Sequence, residues 1–294
     1  MIKIDALYKR YRKKQVLNSI SCKFNVGCTG LLGPNGSGKT TMIKILSGVE
    51  KYNSGNILFY NKQEHEIERK KVKIGYLPQN FGLIKDYTVY EHMELFACLK
   101  GLPKTEWNKN VDYVLNLLNL SDIKGVKCRA LSGGMVRRIG IAQAILGNPD
   151  VIIFDEPTTG LDPEERIRFQ NIILQIKKQS CVIIATHLIE DVMEICDNVM
   201  VLAKGDILFL DKTERLAEVA ANRVYNIKYD TAKVLEQTGI IVKSQYGEQG
   251  NVYARYILDK DVTQDKFKEY ECIEPQIEDG YLSLLREHRK NYVR

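Results

Sequence analysis

Gly33-Pro34-Asn35-Gly36-Ser37-Gly38-Lys39-Thr40 is the stretch that decides the fold of this chain. It fits G-x-x-x-x-G-K-[ST]. An apolar run, Thr29 to Leu32, precedes it, and a helical pattern from Thr40 and Thr41 to Leu46 follows. In such a loop the glycines turn successive backbone N–H groups inward around phosphates. Lys39 reaches the β- and γ-phosphates, and the Thr40 hydroxyl faces Mg²⁺. Further along, Leu131-Ser132-Gly133-Gly134 opens a second helical run, Ser132 to Leu146. Its first N–H groups are a second grip for an anion. Two such helix starts on one chain point to a nucleotide held between two copies.

Three apolar runs read as buried strands aimed at the same place. Val151-Ile152-Ile153-Phe154 delivers Asp155 and Glu156 to a strand's C-terminal end, where open α/β sheets put their ligands. There Asp155 suits Mg²⁺ through its water shell, and Glu156 suits orienting and polarising an attacking water. Val182-Ile183-Ile184-Ala185 ends in Thr186-His187 and sets an imidazole beside that crevice. The shorter Ile74-Gly75-Tyr76-Leu77-Pro78 brings Gln79 to the γ-phosphate side.

Over roughly residues 1 to 210 the chain resembles the nucleotide-binding subunit of an ATP-binding cassette (ABC) transporter. By that resemblance Gly33 to Thr40 are the Walker A motif and Leu131 to Gly134 the superfamily signature. Asp155 and Glu156 end the Walker B strand, Gln79 is the Q-loop glutamine, Thr159-Gly160-Leu161-Asp162 the D-loop, and His187 the switch histidine. Tyr11 stands where the family places the aromatic that stacks on adenine. The resemblance implies ATP and Mg²⁺ as ligands, with Thr40, Gln79 and Asp155 around the metal and Glu156, His187 and Gln79 serving catalysis. It implies an α/β P-loop NTPase core with an antiparallel β subdomain and a helical subdomain. The signature's usual closing glutamine is Met135 here. That leaves the phosphate-binding serine and glycines intact, and Met recurs there in the branch that exports drugs, antibiotics and peptides.

Composition is that of an ordinary globular chain: 294 residues, 44% hydrophobic and 27% charged. No apolar stretch approaches the roughly 18 residues of a membrane span, and the N-terminus lacks a signal-peptide pattern. With the resemblance, the expected location is the cytoplasmic face of the membrane, held peripherally by separately encoded permease subunits. The seven cysteines, Cys22, Cys28, Cys98, Cys128, Cys181, Cys196 and Cys272, show no C-x-x-C spacing and read as reduced thiols. The net charge of +6 suits an anionic membrane face without establishing one. Lys9-Arg10-Tyr11-Arg12-Lys13-Lys14 reads as a solvated hairpin leading Tyr11 to the nucleotide, in preference to a nucleic-acid or lipid patch; no nucleic-acid partner is expected.

Residues 2 to 27 alternate as antiparallel strands do. Thr88 to Leu99 and Trp107 to Leu118 carry helical spacing around Gly101-Leu102-Pro103, a helical segment of about residues 86 to 130. In ABC ATPases that position faces the membrane partner. Phe81, Leu83, Tyr87 and Tyr90 are read either as packing or as a groove for a coupling helix. His65, His92 and His288 read as surface residues, and Met193 and Cys196 as the core face of the helix after His187.

Residues 211 to 294 read as a small α+β accessory domain, of the kind export-type ABC ATPases often carry, and show no chemical motif. The expected order is a helix (Thr213 to Ala221), a strand (Val224 to Tyr229), a helix (Thr231 to Gln237) and a strand (Gly239 to Ser244). A turn at Gly247 to Gly250, the strand Val252 to Leu258 and a helix (Thr263 to Tyr270) follow. Pro275 then opens a last helix whose Ile277, Tyr281, Leu284 and Leu285 make an apolar stripe. Glu274 to Leu282 resemble the closing P-x-x-E-D-x-[FY]-L motif of export-type ABC ATPases.

Two functions compete at this level. One is the energising subunit of a membrane exporter, acting as a homodimer. The other is a soluble ABC ATPase such as an iron–sulfur cluster assembly factor, which is not expected to carry the C-terminal appendix. The interval between Lys39 and Leu131 is too short for the long coiled coils of DNA-maintenance ATPases.

Overall fold

The computed structural model describes residues 1–61, 63–246 and 251–293. The chain divides into two compact units, Met1–Ile207 and Leu208–Arg294.

In the first unit, β1 (Ile2–Tyr11) and β2 (Lys14–Phe24) pair as an antiparallel hairpin, and β3 (Gly27–Leu32) runs into the phosphate loop and α1 (Lys39–Ser47). Next come β4 (Ser54–Tyr60), the short β5 (Glu66–Ile67) and β6 (Ile74–Leu77). The helical segment follows as α2 (Val89–Leu99) and α3 (Trp107–Leu117), then α4 (Gly133–Ile145). Then β7 (Val151–Asp155), α5 (Pro163–Ile176), β8 (Cys181–Thr186), α6 (Ile189–Ile195) and β9 (Asn198–Ala203) alternate, and β10 (Asp206–Lys212) follows, running past the end of this unit at Ile207.

Two sheets result: an antiparallel one in the order β2-β1-β4-β5 and a six-stranded one in the order β10-β9-β3-β8-β7-β6. In the latter β9, β3, β8, β7 and β6 run parallel. Burial on both faces explains why β7 and β8 read as unbroken apolar runs rather than alternating ones. One core joins the two sheets around α1: Ile2, Leu7, Leu17 and Phe24 meet Leu31, Met200 and Leu202, with Met42 and Leu46 among them.

Helix α2 starts on a capping box. Thr88 Oγ1 accepts from the Glu91 N–H at 3.2 Å, and Glu91 Oε2 accepts from the Thr88 N–H at 2.7 Å. His92 is a correction to the sequence reading: it is 3% exposed. It shares the inner face of α2 with Phe96, one turn on, and their rings meet edge to face at 4.8 Å. Burial lowers its pKa. Met193 is corrected in the other direction, being 46% exposed, because Ile189, Val192 and Ile195 are what α6 turns inward. Cys196 is buried but lies just beyond that helix.

In the second unit, the segment after β10 is a 3₁₀ helix, Thr213–Ala220. Strand β11 (Val224–Lys228), α7 (Tyr229–Val234), β12 (Gly239–Tyr246), β13 (Val252–Leu258) and β14 (Glu271–Cys272) make a sheet in the order β12-β13-β11-β14. The expected turn at Gly247 to Gly250 lies outside the described residues. The helix expected over Thr263 to Tyr270 is only the turn Gln264–Phe267. Here one anchor outweighs periodicity: Phe267 packs against the rings of Tyr225 and Tyr256, with centroids at 5.3 and 6.0 Å.

The last helix, α8 (Ile277–Val293), buries Tyr281 of the expected apolar stripe but is buried most deeply at two polar residues the stripe did not indicate: Asp279 is 0% and Ser283 3% exposed. Cations from the rest of this unit explain that burial. Arg255 grips Asp279 with N–O distances of 2.5 to 3.0 Å, and Arg223 donates to Ser283 Oγ at 2.9 Å. At Gly280 a Cβ would stand 1.7 Å from the Leu216 carbonyl oxygen, so helix and 3₁₀ segment approach at backbone distance.

Candidate functional site

The parallel registers bring the sequence motifs to one edge. Leu32 lies opposite Thr186, Asp155 opposite Ala185, and Leu77 opposite Phe154. The phosphate loop after β3, the carboxylates at the end of β7, His187 after β8 and Gln79 after β6 therefore emerge together, at the C-terminal ends of the strands.

Gly38 caps α1 with φ 112°, a conformation an L side chain resists, and a Cβ there would come within 2.8 Å of the Val16 carbonyl oxygen. Lys39 follows at the first helical position, and its Nζ donates back across the loop to the carbonyls of Gly33 at 2.6 Å and Pro34 at 3.3 Å. It is 6% exposed. Burial pulls its pKa down, while Glu156 and Asp155 hold it up.

A cavity of about 300 Å³ opens over this loop. It is lined by Asn35, Gly36, Ser37, Gly38, Lys39, Thr40 and Thr41, by Gln79 and Glu156, and by Tyr11 at one end. Lys14 and Val16, which the motifs did not single out, line it as well. The Tyr11 ring is 41% exposed, with Lys9 Nζ 4.4 Å from its centroid, so one face is cationic and the ring has room to stack.

Asp155 is 2% exposed. Burial first, and then the neighbouring Glu156, push its pKa up to about 6 against the opposing pull of Lys39, Lys44 and Arg137. Its Oδ2 and the Ser37 hydroxyl have no hydrogen-bond partner among the described residues. A buried carboxylate oxygen left unpaired and coupled to the loop lysine fits a hard divalent cation held next to phosphate oxygens.

Glu156 adopts φ 52°, uncommon for a residue with a side chain. Its N–H donates to the Ala185 carbonyl at 2.8 Å, and its Oε2 stands 2.9 Å from His187 Nδ1. One turn into α4, Arg137 spreads its guanidinium over the carbonyls of Asp155, Glu156 and Pro157 and over those of Pro78 and Gln79. Sequence reading passed over Arg137. Its signal is a charged residue at an inward position of a helix whose following residues, Ile139 to Ile145, are all buried. Thr158 was passed over too; it donates to the buried Asp191 at 2.6 Å.

The second anion grip is elsewhere. Ser132 caps α4 by accepting from the Met135 N–H at 3.2 Å. Gly133 and Gly134 line a different cavity of about 280 Å³, together with Thr159 and Gly160, and Gln79 and Glu156 border that one as well. Within one chain the two grips do not share a cavity.

Comparison with known proteins gives the family. Residues 17–159 match the family model described as ABC transporter. The chain is 32% identical over 266 residues to the uncharacterised ABC transporter ATP-binding protein MJ1023 of Methanocaldococcus jannaschii, covering 88% of this chain and 96% of that protein. It is also 32% identical to the linearmycin resistance ATP-binding protein LnrL of Bacillus subtilis, over 77% of this chain and 74% of that one. The same identity holds to the methionine import ATP-binding protein MetN of Clostridioides difficile, over 74% and 70%. Among solved structures, the dimeric cassette MJ0796 superposes with a TM-score of 0.64 at 25% identity, covering 72% of this chain and 98% of that one.

Proposed function

This chain belongs to the ABC transporter ATP-binding family and is an ATPase of that family, and on that premise we propose that it is the motor subunit of a membrane exporter, working as a homodimer. The observation that carries the dimer is the separation of the two anion grips into two cavities that share Gln79 and Glu156. A nucleotide on the loop of one copy is completed by Ser132, Gly133 and Gly134 of the other.

In this reading Gly33 to Thr41 wrap the phosphates with backbone N–H groups, and Lys39 exchanges its two loop carbonyls for phosphate oxygens. Thr40, Asp155 and Gln79 would hold Mg²⁺, which would supply charge neutralisation on the terminal phosphates. Glu156 orients the water and takes its proton. His187, 2.9 Å away, keeps that carboxylate turned toward the γ-phosphate. Tyr11 stacks on adenine. Positioning and charge stabilisation carry most of phosphoryl transfer, so these few groups suffice.

Export rather than import is supported by Met135, by the closing Glu274 to Leu282 segment and by the linearmycin resistance relative. The residues from 211 onward form an accessory domain that steadies or regulates the dimer, and the nucleotide chemistry stays in residues 1 to 210. No described helix is long and apolar enough to cross a membrane. In this reading separate permease subunits hold the chain at the cytoplasmic face.

The test is purification of a tagged chain from detergent-solubilised membranes of its native host. Recovery of a polytopic membrane protein in stoichiometric amount is expected. A chain found only in the soluble fraction, with full ATPase activity, would return the reading to a soluble ABC ATPase.

A further inference from the structure

Arg137 makes a set of contacts that the motif roles above do not use. It sits on α4, one turn beyond Gly133, and is 9% exposed. Its Nε donates to the Pro157 carbonyl at 3.1 Å, and its Nη1 donates to those of Pro78 at 3.0 Å and Gln79 at 3.2 Å. Its Nη2 donates to the Asp155 carbonyl at 2.7 Å and to that of Glu156. A guanidinium has five N–H donors in a fixed planar fork. Here each has a backbone acceptor, split between the end of β6, which carries Gln79, and the end of β7, which carries Glu156.

The carbonyls of Asp155, Glu156 and Pro157 converge on one cation because the chain turns left-handed at Glu156, φ 52°. Such a backbone is strained and persists only where its surroundings over-determine it. Three of the charge-assisted hydrogen bonds, to Asp155, Glu156 and Pro157, do so. The helix that carries Arg137 is itself fixed to β6, since Gln143 Nε2 donates to the Tyr76 carbonyl at 2.6 Å. An ammonium at position 137 has three donors and no planar fork, so it cannot span both strand ends.

We propose that Arg137 is a positioning residue that ties the Gln79 loop and the Glu156 turn to the signature helix, so that both reach the γ-phosphate in one arrangement set by α4. The inference rests on the catalytic roles proposed for Gln79 and Glu156. Its consequence is specific. Loss of the tie leaves the phosphate loop, and so ATP capture, alone, while the attacking water and its base fall out of line. Misplacement on the scale of an ångström costs about 10- to 100-fold in turnover.

The experiment measures kcat and KM for ATP in the full-length Arg137→Lys and Arg137→Gln variants, with Arg137→Lys repeated in a Gln79→Ala background. Expected are a fall in kcat of about tenfold or more for Arg137→Lys, a larger one for Arg137→Gln, and KM within about twofold of the parent. The factor lost to Arg137→Lys should shrink once Gln79 is already absent, because one of the two tied groups is gone. If Arg137→Gln does not fold, Arg137→Lys alone decides. An unchanged kcat, a loss carried by KM, or an equal loss in both backgrounds overturns the proposal. Glu156→Gln run alongside separates the two levels: if it too keeps full activity, the catalytic assignment fails, and not only the tie.

Discussion

His187 Nδ1 stands 2.9 Å from Glu156 Oε2, bridging the ends of β8 and β7 across the edge where the phosphate loop opens. Glu156 is 6% exposed and is held from two sides, by this imidazole on its carboxylate and by Arg137 on its backbone. A carboxylate so constrained is suited to a single orientation of water. The pair sets the first expectation.

Glu156→Gln preserves shape and removes the base, so hydrolysis should fall by about 10²–10⁴-fold. ATP should still bind, and with Mg²⁺ the variant should elute as a dimer on size exclusion. A variant that stays monomeric with ATP and Mg²⁺ argues against Glu156 as the base in a sandwich. His187→Ala should slow turnover while leaving ATP binding in place.

Lys39 is the cation nearest the loop carbonyls, donating to Gly33 and Pro34. Removing it in Lys39→Ala should lower phosphate release by about 100-fold or more, the scale of losing one preorganised charged donor. Phosphate release at the parental rate would remove Lys39 from the mechanism.

Lys100 gives a pH signature in stability. Its Nζ donates to the carbonyls of Ala144 at 3.2 Å and Leu146 at 3.0 Å, and burial pulls its pKa down to about 7. The unfolded value is about 10.4. Between those two values the unfolded chain binds more protons, so stability rises with pH, and the cost of the buried charge is present in full below pH 7. Urea unfolding of the parent and of Lys100→Met, compared at steps from pH 7 to 9, should show the difference moving in the parent's favour. A gap that stays constant over that range would mean Lys100 does not titrate there.

In the second unit, Asp279 is 0% exposed and held by Arg255. Asp279→Ala leaves that guanidinium without its carboxylate and should cost about 3–5 kcal/mol, the scale for breaking a buried pair. Amide exchange in β11 and β13 should speed up, while ATP binding to residues 1 to 210 is retained. Unaltered exchange would show that α8 does not depend on this pair.

Local chemistry in the sequence was enough for the phosphate loop and the strand-end carboxylates. Each depends on residues next to one another in the chain: glycines where the backbone must turn, apolar runs where a strand is covered on both faces. The expected β6, β7 and β8 correspond to observed strands within a residue or so for that reason. What only the tertiary structure decided depends on partners far apart in sequence. His92 is inside because Phe96 and the helical segment enclose it, although its residue type reads as surface. The buried line of α8 runs through Asp279 and Ser283 because Arg255 and Arg223 come to meet it, and no helical periodicity encodes a partner more than twenty residues away. Arg137 drew no reading from its place in the sequence. Its five carbonyls converge only once β6 and β7 lie side by side, since a buried guanidinium takes its meaning from acceptors that the parallel sheet assembles.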